Sequence, residues 1–185
     1  DTRHFIGCLN ILREDRAVAP ERLERNSVVA QLPAYRQLLT NKGYLDYSSI
    51  LKEAVSELTG NAGLRERLAA RIRHVIVDEY QDVNPIQEAV VHELHGLGAG
   101  ICVVGDDDQT IYQWRGSDVK NILSFAKRYP GVEQVRLEDN FRSSRGIVET
   151  ARAFIEQNAL RLTKAMKPTD AQIDEPGDLV ALSFD

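Results

Sequence analysis

Apolar residues recur at a helical spacing at Ala34, Tyr35, Leu38 and Leu39, which predicts a helix from Pro33 to Asn41. Gly43 then reads as its stop. Asp46 is placed to cap a second helix, whose buried face carries Ile50, Leu51, Ala54, Val55 and Leu58 and which ends at Thr59-Gly60. A short third helix is expected from Ala62 to Arg71. The period changes at His74. His74 to Asp78 and Ile101 to Val104 are short apolar runs of the buried-strand type. Between them Pro85 opens a helix through Ile86, Ala89, Val90, Val91 and Leu94, ending at Gly96, Gly98 and Gly100. Further on, Ser117 is placed to cap a helix through Ala126. A strand is expected from Val132 to Leu137, a helix from Ser144 to Asn158, a loop from Lys167 to Gly177 and a strand start at Leu179 to Leu182. Apolar strands alternating with helices predict an α/β fold with a parallel sheet covered on both faces.

Ligands in such sheets bind beyond the carboxyl ends of the strands. Three polar stretches fall there: Asp78-Glu79-Tyr80-Gln81-Asp82, Gly105-Asp106-Asp107-Asp108-Gln109 and Glu138-Asp139-Asn140-Phe141-Arg142. Each alone is open to a plainer reading, as a helix-capping cluster or a tight turn. Their recurrence at successive strand ends favours one shared site. Adjacent carboxylates at a strand end suit a hard cation such as Mg²⁺ and the alignment of a water for NTP hydrolysis. Thr110 to Gly116 adds Tyr112, Trp114 and Arg115, an aromatic-plus-arginine grouping of the kind on which single-stranded nucleic acid stacks. The alternative for a lone tryptophan is a core position.

Composition narrows the picture only slightly. The 185 residues carry a formal net charge of −5, so the chain has no overall basic footprint for nucleic acid. Two distant cysteines, Cys8 and Cys102, match no metal or disulfide pattern, and Cys102 is expected in the core. A reducing, cytoplasmic setting fits. No membrane span or secretory signal is read.

Val-Asp-Glu-Tyr-Gln-Asp-Val-Asn (77–84), Val-Val-Gly-Asp-Asp-Asp-Gln-Thr-Ile-Tyr-Gln-Trp-Arg-Gly (103–116) and Leu-Glu-Asp-Asn-Phe-Arg-Ser (137–143) resemble motifs II, III and IV of the UvrD/Rep/PcrA group of superfamily 1 DNA helicases. Leu45-Asp46-Tyr47 with Ile50-Leu51 resembles the segment that precedes motif II there. The resemblance implies a RecA-like, P-loop NTPase-like sheet, present here in part. Residues 45–137 would be the later part of a first motor domain, 138–185 the start of a second, and 1–44 a helical segment left from an inserted subdomain.

The same resemblance implies roles. Asp78 would hold the Mg²⁺ of MgATP, and Glu79 would align the hydrolytic water. Gln81 and Asp82 would link that site to neighbouring motifs. Gln109 would sense the γ-phosphate. Tyr112, Trp114 and Arg115 would line the single-strand path. Phe141, where many relatives carry Tyr, would pack on adenine, and Arg142 would act as an arginine finger worth ~10³ or more in rate. ATP, Mg²⁺, single-stranded DNA, duplex junctions and the remaining helicase domains are the expected ligands and partners, with movement 3′ to 5′. Asp107 departs from relatives that carry a small residue, and a solvated charge is expected there.

The phosphate-cradling Gly-x-x-x-x-Gly-Lys-Ser/Thr is absent, and the sequence has no Gly-Lys pair. An excised middle slice of a helicase, without ATPase of its own, is therefore the expectation. The alternatives are a non-catalytic nucleic-acid or partner-binding module on the same fold, and the motor part of a RecB-type helicase–nuclease.

Overall fold

A computed structural model describes residues 8–9, 27–111, 119–174 and 176–180. Residues 1–122 and 123–185 form two compact units.

In the first unit, helix α1 (Ser27–Lys42) starts earlier than its apolar spacing predicts. Pro33 lies inside it, where its ring removes one helical hydrogen bond and the helix carries across the gap. Helix α2 (Tyr47–Gly60) begins as expected: Asp46 Oδ1 accepts from Ser49 N at 2.8 Å. The Tyr35 hydroxyl donates to Asp46 Oδ2 at 2.8 Å, tying α1 to that cap. Leu58 is buried on the predicted face, whereas Ile50 is exposed. Helix α3 (Ala62–Ala69) follows, capped by Asn61.

Strands β1 (His74–Val77) and β2 (Gly100–Val103) pair in parallel, with Ile76 opposite Cys102. Helix α4 (Pro85–His95) connects them, giving a βαβ unit. Its start is strongly specified: Asn84 Oδ1 accepts from Gln87 N, Gln87 Oε1 accepts from Asn84 N, and Pro85 fills the first turn. Helix α4 packs on α2 and on β1. The Arg65 guanidinium bridges α3 to α4 through Glu93 at 3.0 Å.

The strands are not buried throughout. Side chains alternate across a sheet, and in both strands exposed residues alternate with half-buried ones. Ile76 is 74% exposed and its register partner Cys102 is exposed too, so Cys102 is not a core residue. The core instead gathers where α2 and α4 meet, with Leu58, Ile86 and Val91 buried.

In the second unit, the helix expected through Ala126 is two short turns, α5 (Lys120–Leu123, which starts in the first unit) and α6 (Phe125–Arg128). Ser124 leaves helical geometry between them, and its carbonyl accepts from Lys127 N and Arg128 N. Ser117 lies outside the described residues. Val132 to Leu137 is not a strand, and Val135 and Leu137 are exposed. No ladder partner runs beside them among the described residues. Pairing starts later, where β3 (Asp139–Asn140) runs parallel to β4 (Lys167–Pro168), so the stretch expected to be loop contributes a short strand. Helix α7 (Arg145–Ile155) packs on β4 and buries Val148. Of Leu179 to Leu182, only Leu179 and Val180 are described, and neither is strand.

Candidate nucleotide-hydrolysis site

The carboxyl ends of β1 and β2 lie side by side, because the parallel ladder continues past both strands. Val104 N donates to Val77 O at 2.8 Å, and Tyr80 N donates to Val104 O at 2.9 Å. Two short 3₁₀ turns follow, Tyr80–Asp82 after β1 and Asp107–Gln109 after β2. Between them opens a cleft of about 440 Å³ lined by Glu79, Gln81, Asp82, Asp108, Gln109 and Ile111. Four of the six are residues singled out from the sequence.

One buried side chain joins the two turns. Gln81 is 1% exposed. Its Nε2 donates to Glu79 Oε2 at 2.7 Å, and its Oε1 accepts from Asp106 N at 3.0 Å. Asp106 extends the track: its Oδ2 accepts from Gln109 Nε2 at 2.8 Å, and its Oδ1 accepts from Asp108 N at 3.1 Å. A hydrogen-bonded path therefore runs from Glu79 to Gln109. Gly105 makes room for it. A Cβ built there would stand 2.7 Å from Gln81 Oε1 and 3.1 Å from Tyr80 N.

Glu79 is the only non-glycine residue with positive φ among the described residues, at φ 49 and ψ 44. That left-handed conformation costs roughly 1–2 kcal/mol and persists where surrounding contacts over-determine it. Here Asp82 N donates to Glu79 O at 2.8 Å, and Glu79 N donates to Asp78 Oδ1 at 2.9 Å. The next residue, Tyr80, is fully buried, and its hydroxyl donates to Glu88 Oε2 on α4.

Asp78 is exposed just past the end of β1 and is not a lining residue of the cleft. It spends Oδ1 on Glu79 N, and Oδ2 has no hydrogen-bond partner among the described residues. A single free carboxylate oxygen suits Mg²⁺, which keeps several waters and takes one or two carboxylates plus phosphate. Asp107 is buried within the 3₁₀ turn, not solvated, and its carbonyl accepts the Thr110 hydroxyl at 2.9 Å. Tyr112, Trp114 and Arg115 lie outside the described residues. Phe141 and Arg142 belong to the second unit, and both are exposed, Phe141 by 80%. Asn140 Oδ1 accepts from Arg142 N and Ser143 N, which fixes the backbone at Arg142.

Sequence reading missed three participants: Asp106 as the acceptor for Gln109, Gly105 as the space for Gln81, and Glu88 beneath Tyr80. The signal for Glu88 was a carboxylate on the same helix as the buried Ile86 and Val91.

Residues 8–130 match the family described as the UvrD/REP helicase N-terminal domain. The chain is 38% identical over 143 residues to DNA helicase II of Escherichia coli K12, covering 77% of this chain and 20% of that protein. It is 33% identical over 172 residues to the ATP-dependent DNA helicase PcrA of Staphylococcus aureus Mu50, covering 90% of this chain and 24% of that protein. The chain thus spans between a fifth and a quarter of the length of these relatives.

Proposed function

Because the chain belongs to the UvrD/REP helicase N-terminal domain family, we propose that it is a central segment of an ATP-dependent DNA helicase that moves 3′ to 5′ on single-stranded DNA and opens duplex junctions. The observation that carries this reading is the Gln81 bridge, which links Glu79 at one strand end to Asp106 and Gln109 at the next. A RecA-like sheet is supported by the parallel βαβ unit and by a cleft at the carboxyl ends of its strands. In this reading residues 45–137 belong to the first motor domain, 138–185 open the second, and 1–44 derive from an inserted subdomain.

Phosphoryl transfer needs positioning and charge neutralisation more than covalent chemistry. Asp78 is the residue to hold Mg²⁺, which supplies charge neutralisation at the phosphates when bound. Glu79 accepts a hydrogen bond from the attacking water and aligns it. Gln81 fixes the Glu79 carboxylate from one side, leaving its other oxygen for that water. Gln109 reports the γ-phosphate: to reach it, the amide must share or leave its hydrogen bond to Asp106. Tyr112, Trp114 and Arg115 bind the single strand, with Trp114 as the stacking platform. Asp82 lines the nucleotide cleft, Phe141 packs on adenine, and Arg142 neutralises charge at the γ-phosphate. No helix among the described residues is long and apolar enough to cross a membrane.

The sequence contains no Gly-Lys pair to cradle a β-phosphate, so the 185-residue chain alone should not hydrolyse ATP. Strand displacement by the longer protein tests the whole reading. A duplex with a 3′ single-stranded tail should be unwound with ATP, and one with only a 5′ tail should not. The opposite preference overturns the polarity, and no unwinding of either overturns the helicase assignment.

A further inference from the structure

We propose that Glu88 is a positioning residue for hydrolysis: through the Tyr80 hydroxyl it holds Glu79 in the left-handed conformation that presents its carboxylate to the cleft. This rests on the assignment of Glu79 as the water-aligning group. Glu79 sits in a backbone region unfavourable for a residue with a side chain, so its neighbours must supply the constraint. The backbone contacts on its two sides are local: Asp78 Oδ1 meets its N–H, and Asp82 N meets its carbonyl. Tyr80 reaches further. Its N–H is held by Val104 O of the neighbouring chain segment, and its side chain has no exposed surface. A buried phenol needs a partner for its hydroxyl, and a buried carboxyl needs a donor. Tyr80 and Glu88, 9% exposed, meet both needs at 2.5 Å. Glu88 stands in the first turn of α4, which the Asn84–Gln87 capping box makes rigid. Tyr80 is thereby pinned at its amide and at its far end, and the torsions of the residue just before it are pinned with it.

The test has two arms. In the 185-residue chain, the ¹³Cα and ¹³Cβ shifts of Glu79 report its backbone region. Glu88→Leu and Tyr80→Phe should move them towards right-handed values, while Glu88→Gln, which still accepts the phenol proton, should leave them in place. In the longer protein, Glu88→Leu and Tyr80→Phe should each lower kcat for DNA-stimulated ATP hydrolysis on the order of 10-fold or more, with KM for ATP unchanged. Glu88→Gln should stay within about twofold of wild type, and the double variant should lose little beyond either single change. Thermal unfolding shows which variants are folded, and Tyr80→Phe and Glu88→Gln carry the test if Glu88→Leu does not fold. Unmoved Glu79 shifts in a folded Tyr80→Phe variant overturn the proposal. So does a wild-type kcat in that variant where Glu79→Gln is inactive. An active Glu79→Gln enzyme instead overturns the assignment of Glu79 on which the proposal rests.

Discussion

Gln81 donates to the Glu79 carboxylate at 2.7 Å while accepting the Asp106 N–H at 3.0 Å, so one buried amide ties the ends of two parallel strands together. The first contact lies within the turn after β1, and the second crosses to the segment after β2. Gln81→Leu keeps the volume and removes both hydrogen bonds. The lost partner for Asp106 N should destabilise the chain by about 1–3 kcal/mol, read as a shift in the urea midpoint. In the longer protein the same change should lower kcat for ATP hydrolysis more than it raises KM, since Glu79 loses its orientation.

Gly105→Ala should destabilise the chain by roughly 1–3 kcal/mol through overpacking. The added Cβ meets Gln81 Oε1 at 2.7 Å, Ile122 Cδ1 at 3.0 Å and Tyr80 N at 3.1 Å. The Gln81 end can shift, but the Tyr80 amide belongs to the ladder with Val104 and cannot move cheaply. Urea unfolding of the two chains side by side checks this. An unchanged midpoint would mean that the strand ends are not packed as closely as described.

Asn84→Ala removes the reciprocal cap of α4, in which Asn84 and Gln87 each serve the other's backbone. A loss of about 1 kcal/mol is expected. Because Glu88 sits in the same turn, amide exchange should also quicken from Gln87 through Ala89. Exchange confined to the far end of α4 would contradict this.

In the second unit the Glu138 carboxyl is held below the usual glutamate range, first by the Ala165 N–H at 2.9 Å and then by Lys167 and Arg136. A lowered folded-state pKa means stability that is present above the unfolded value and lost as pH falls through the folded value. Glu138→Gln should therefore be less stable than wild type near neutral pH, and the gap should close on acidification below the ordinary glutamate pKa. Thermal melts across that range check the sign, and a gap that widens in acid would contradict it.

Features set by neighbouring residues were legible from the sequence. Asp46 caps α2 because capping acts over three residues, and Pro85 opens α4 because its fixed φ suits the first turn; the Asn84 cap beside it was not read. The two apolar runs at His74 and Ile101 form the parallel pair, and the polar stretches at their ends line one cleft. What failed depends on partners distant in sequence. Ile76 and Cys102 look like core by type, yet they face each other on an exposed side of a two-stranded sheet. Val132 to Leu137 has strand composition but no neighbouring strand to pair with among the described residues. Asp106 and Gln81 are 25 residues apart, and Tyr80 and Glu88 are separated by a turn and a helix start. No local pattern encodes either meeting.

DNA-stimulated ATP turnover by the longer protein, wild type against Glu79→Gln, bears most directly on the claim that this cleft aligns the hydrolytic water. The amide keeps the size of Glu79 but cannot accept the water's proton in the same way. Turnover should fall by on the order of 10²-fold or more, with ATP binding and the thermal midpoint retained. Wild-type turnover by a folded Glu79→Gln protein would contradict the account, because the water would then be aligned elsewhere.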